Sequence, residues 1–74
     1  MYKIQVSYHH KPFDDYPSMP YRDKTLAKEE LAKRIKNSAE RYADLEARWR
    51  LVEISEEQGQ EFQKEVCRWH AMQD

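Results

Sequence analysis

Four side chains in this sequence could grip a metal ion: His9, His10, Cys67 and His70. Cys67 and His70 are three positions apart, one helical turn, so they would project to the same side. A structural zinc centre would also need the N-terminal segment to reach the last turn of the chain. The paired-ligand spacings of zinc domains are missing. Exposed histidines, a partly buried thiol and no metal or other cofactor are therefore the expectation. Asp14 and Asp15 beside the histidines suggest acid–base chemistry, but carboxylates in a proline-rich stretch are ordinary turn formers. The sequence has no phosphate-cradling glycine loop and no nucleophile elbow, and a domain this small leaves little room for a substrate pocket. A non-enzymatic protein is expected.

The elements that would position these groups follow from residue spacing. Thr25 to Ala43 reads as an amphipathic helix, with Ala27, Leu31, Ile35, Ala39 and Tyr42 recurring at three- and four-residue steps. Lys28, Glu29, Glu30, Lys33, Arg34, Lys36, Glu40 and Arg41 fall on its wet side, and Thr25 or Asp23 supplies its cap. Before it, Tyr2 to Tyr8 alternates Tyr2, Ile4, Val6 and Tyr8 with Lys3, Gln5 and Ser7, the pattern of a half-buried strand. After a turn at Asp44 and Leu45, Arg48 to Ile54 is rich in aromatic and branched residues and reads as a second strand. The competing reading is one helix running from Thr25 to Ile54, because Leu45, Trp49 and Val52 continue the helical spacing. Ser55-Glu56-Glu57-Gln58 is a capping box, and Phe62, Val66 and Trp69 form the stripe of the helix it opens. Gly59 in its first turn weakens it.

The segment from His9 to Asp23 holds all three prolines and cannot be a regular helix or a central strand. It also carries Phe13, Tyr16, Met19 and Tyr21. These either fold back to cap a small core, with Met19 to Asp23 pairing as a short edge strand, or stand out to meet a partner. Pro17 to Arg22 also matches a P-x-x-P-x-R peptide of the kind SH3 domains take, a pattern too short to carry weight alone.

With 74 residues the chain makes one small α+β domain in the order β-α-β-α, residues 1–74, with both helices on one face of the sheet. It is 39% hydrophobic and 36% charged, yet its two Trp, five Tyr and two Phe argue for a folded core. So thin a core and open strand edges favour a homodimer. The net charge of -1 offers no global field for nucleic acid or membranes. No run approaches a membrane span, no signal peptide opens the chain and one cysteine excludes a disulfide framework, so the cytoplasm is the expected location. Charge is uneven. Eight basic residues face five acidic ones between Lys24 and Arg50, and six acidic face two basic from Glu53 to Asp74.

The opening YKIQVSY, the TLAKEELAKRI helix and the closing WRLVEI strand together resemble small accessory proteins of bacteriophages and prophages. That resemblance covers most of the chain in pattern and implies a protein-binding role, in some cases inhibition of a host machine. It assigns no residue. The expected function is a protein-binding module contacting an unidentified protein through Phe13, Tyr16, Met19 and Tyr21, together with Arg48, Trp49 and Arg50. The alternative is nucleic-acid binding through Lys28, Lys33, Arg34, Lys36 and Arg41 on the first helix, although the interleaved glutamates cancel much of that field.

Overall fold

The computed structural model describes residues 1–72. The chain is α+β, a three-stranded antiparallel sheet with two helices in the order β-β-α-β-α. The alternating segment forms β1 (Tyr2–Ser7) in the middle of the sheet, where Ile4 is fully buried and Val6 nearly so. On one side it pairs with β2 (Asp14–Asp15), on the other with β3 (Arg48–Glu53). The short third strand is therefore Asp14–Asp15. The Met19–Asp23 stretch contributes a single bridge, Tyr21 to Tyr2. The continuous helix through Trp49 does not form: the chain leaves α1 (Lys24–Arg41), makes a 3-10 turn at Ala43–Leu45 and enters β3 extended.

α1 starts where Asp23 accepts the Thr25 N–H at 2.8 Å and lies over the face that carries Tyr2, Ile4, Val6, Trp49 and Leu51. Its inward stripe is turned from the one the spacing predicts. Ala27 and Ser38 are buried and Leu31 and Arg34 half-buried, while Ile35 and Tyr42 are 46% and 51% exposed. The cause lies beneath the helix. Tyr16 and Trp49 meet edge to face at 5.2 Å between centroids, and two such rings leave room above them for small side chains and for the flat guanidinium of Arg34.

α2 (Glu56–Met72) begins with the capping box the sequence specifies: Ser55 Oγ accepts the Gln58 N–H, and Gln58 Oε1 accepts the Ser55 N–H, both at 3.1 Å. Its Gly59, Phe62 and Val66 are buried. It meets the opposite face of the sheet from α1, not the same one. The Lys3 ammonium lies 5.4 Å from the Phe62 ring centroid, and Met1 packs against Gly59; Met1 and Lys3 point away from Ile4 because strand side chains alternate. Burying Ile4, Val6, Phe62 and Val66 contributes roughly 1.5–3 kcal/mol each, so both faces of the sheet help hold the fold. Arg22 reaches Glu56 at 2.6 Å and fastens the proline-rich loop to α2. That hydrogen bond and the guanidinium charge hold the Glu56 carboxyl below its ordinary value.

Candidate protein-binding surface

The proline-rich loop is fixed at both ends. Tyr16 donates its N–H to Ile4 O at 2.9 Å, and Tyr21 and Tyr2 exchange backbone hydrogen bonds at 2.8 Å each. Three of its aromatic residues turn inward as caps. Phe13 is half-buried beneath Arg50, whose guanidinium lies 4.2 Å from the ring centroid. Tyr16 packs on Trp49 and under Arg34, which sits 4.7 Å above its ring and donates to its hydroxyl at 2.8 Å. Tyr21 is half-buried, and burial, with the nearby Glu30 charge, raises its phenol pKa. Met19 alone of the four stands out, 44% exposed. Arg48 and Arg50 are exposed and Trp49 half-buried. The expected partner residues thus meet pairwise, Phe13 with Arg50 and Tyr16 with Trp49.

Of the basic residues on α1, Lys28, Lys33, Lys36 and Arg41 are exposed. Arg34 is occupied, held at 3.2 Å by Glu30 and bonded to Tyr16. Cys67 is exposed on α2 rather than partly buried, as is His70, far along the chain from the exposed His9 and His10. Among the described residues no group of three or more His, Cys, Asp or Glu side chains comes together as a metal site.

A corner that the residue spacing does not mark brings in further residues. His9, His10 and Glu46 all have left-handed backbones, with φ of 52°, 62° and 50°. His9 and His10 are the central pair of a tight turn closed by Lys11 N–H to Tyr8 O at 3.0 Å, the geometry for which Asn-Gly is the usual choice. Glu46 ends the 3-10 turn. The two segments touch: the His9 N–H donates to Leu45 O at 3.2 Å, and His10 Nε2 is 3.4 Å from Glu46 Oε2. Beside them Tyr8 and Tyr42 are 38% and 51% exposed. A hollow of about 90 Å³ opens between these two tyrosines, with Tyr16 and Trp49 below. Trp49 Nε1 and Arg34 Nε are buried there without an acceptor among the described residues.

No family model, curated protein or solved structure matches this chain. The corner is therefore read from its own geometry. No residue type between Tyr8 and Lys11 marks this turn in the sequence, which has neither the glycine nor the asparagine usual at left-handed positions. Among the described residues, no helix is long and apolar enough to cross a membrane.

Proposed function

We propose that this chain is a non-enzymatic protein-binding module, of the kind represented by small phage accessory proteins that modulate a host protein in the cytoplasm. Its contact surface is the corner formed by Tyr8, His9, His10, Tyr42 and Glu46, extended by the fixed proline-rich loop with Met19 outward. The observation that carries this reading is the clustering of three left-handed non-glycine residues beside exposed tyrosines. Each such residue costs about 1–3 kcal/mol, and strain of this kind gathers where shape serves a contact. A rigid corner also loses little freedom on binding, and tyrosine offers a broad apolar ring with a polar tip.

The test is affinity capture from host lysate with mass-spectrometric identification, using the wild-type chain, Tyr8→Ser and Tyr42→Ser. Both tyrosines are exposed, so both variants should fold. Recovery of one protein in stoichiometric amount by the wild type, and its loss with either variant, supports the reading. No recovery by the wild type, or recovery that survives both changes, overturns it. A salt-sensitive gel shift with oligonucleotides, abolished by replacing Lys28, Lys33 and Lys36, would instead favour nucleic acid.

A further inference from the structure

We propose that a second copy of this chain docks along β3, so that the two sheets join into one six-stranded sheet about a two-fold axis at Leu51. This surface adjoins the corner assigned above to a protein partner and shares Tyr42 and Glu46 with it, so its test changes only residues outside that corner. β3 is an edge strand, and its hydrogen-bonding phase is fixed. Ile54 and Met1 exchange backbone bonds at 2.7 and 2.9 Å, and bonded pairs alternate along an antiparallel ladder. With Tyr2 opposite Glu53 in register, the N–H and C=O groups of Trp49, Leu51 and Glu53 point away from β1. Among the described residues they form an unpaired row.

The side chains of these three residues share the face that α1 covers, and beside them α1 leaves Ile35 and Ala39 uncovered. One hollow of about 260 Å³ lies between these two residues and Trp49, with Glu46 as its one charged lining group. A second, of about 300 Å³, lies by Leu51 and is lined by Lys24, Lys28 and Glu53. A two-fold axis perpendicular to the sheet keeps both copies of α1 on one side and sets them antiparallel. Only two registers centre the pairing within the strand. An axis at Arg50 sets Arg50 against Arg50 of the second copy, a like-charge opposition. An axis at Leu51 sets leucine against leucine and Trp49 against Glu53 of the second copy. In either register the Lys24 end of one α1 lies towards the Glu46 end of the other copy, so Glu46 faces the two lysines across the seam.

The flank of α1 sets the scale of the interface. The 18 residues of α1 make a flank about 27 Å long, which offers on the order of 500 Å² per copy, close to the lower bound of specific interfaces. Lys28, the like-charged residue nearest the axis, is exposed, so its stem can cover Leu51 while its ammonium stays in water.

The experiment is sedimentation equilibrium on the purified chain, combined with cysteine cross-linking in a Cys67→Ser background. The expected result is twice the 9.0 kDa chain mass and rapid oxidative cross-linking of Leu51→Cys, with Arg50→Cys much slower. Ile35→Glu and Glu53→Pro should each yield monomers while retaining the native circular dichroism spectrum. Ile35 is 46% exposed, and the Glu53 N–H points outward, so neither change breaks a bond inside one copy. A chain that stays monomeric at its highest soluble concentration overturns the proposal. So does a dimer that survives both changes, or one that cross-links through Arg50→Cys.

Discussion

The Lys3 ammonium stands 2.9 Å from Asp15 Oδ1 and ties the central strand to the two-residue strand at the edge. Gln5 strengthens the tie, donating to the same carboxylate at 2.8 Å and accepting from Arg50 Nε at 2.7 Å. A polar row therefore crosses all three strands on the face opposite α1. Partial burial raises the Asp15 pKa, but the hydrogen bonds from Gln5 and Lys3 and the Lys3 charge outweigh it and hold the group below its ordinary 3.8.

The sign of the pH effect follows. A carboxyl whose folded pKa is depressed stabilises the fold fully above its unfolded value and loses that contribution as pH falls through the folded value. Stability should drop on acidification below about pH 4, and Asp15→Asn should flatten this part of the profile. At neutral pH the variant should lose up to about 1 kcal/mol, the range for a partly exposed pair. Urea titrations at several pH values measure both effects. A variant with the wild-type acid profile would show that other carboxylates set it.

Tyr16 joins the loop, β3 and α1 through one ring. Tyr16→Phe removes only the hydrogen bond from Arg34 and should cost about 1 kcal/mol. Tyr16→Ala also removes the contacts with Trp49 and the Arg34 guanidinium and should cost about 3 kcal/mol. Equal losses for the two variants would mean that the ring itself contributes little.

The two histidines of the tight turn offer a test in the opposite direction. Asn at position 9 and Gly at position 10 adopt positive φ with less strain, so the double change His9→Asn, His10→Gly should raise stability by about 1–2 kcal/mol. A lower melting temperature would show that the His10 contact with Glu46 outweighs backbone relief.

The order of the longer elements was legible because of strong local signals: strict alternation in YKIQVSY, branched and aromatic density in WRLVE, and a capping box at Ser55 to Gln58; the two-residue strand Asp14–Asp15 carries no such signal. The phase of α1 was less legible. Spacing puts Ile35 in the stripe, but the residue that meets the sheet is chosen by what lies under it, and the Tyr16 and Trp49 rings admit Arg34 and Ser38 there. A loop distant in sequence supplies half of that floor. The left-handed corner was hidden for a related reason, since neither histidine nor glutamate advertises positive φ. Ser38, buried, and its neighbour Ala39, exposed, make the observed phase testable, because the spacing predicts the opposite order. Ser38→Leu should cost about 1–3 kcal/mol by overpacking, while Ala39→Gln should stay within about 0.5 kcal/mol. The reverse order would place the helix in another rotation.

Gly59 reads in sequence as a weak point near the start of α2, and in the fold it is a seat for the first residue of the chain. A Cβ built there would overlap Met1 Sδ and lie 3.2 Å from Met1 Cβ. Gly59→Ala gains up to about 1 kcal/mol of helix propensity. It also drives the Met1 side chain from its packed position and strains the Met1–Ile54 backbone pair, a cost of about 1–3 kcal/mol for added bulk at a close contact. The second effect should win, giving a net loss of about 1 kcal/mol in urea denaturation and faster hydrogen exchange at the Ile54 amide. A variant more stable than the wild type, with Ile54 exchange unchanged, would show that Met1 swings aside freely and that the glycine is not needed for the contact.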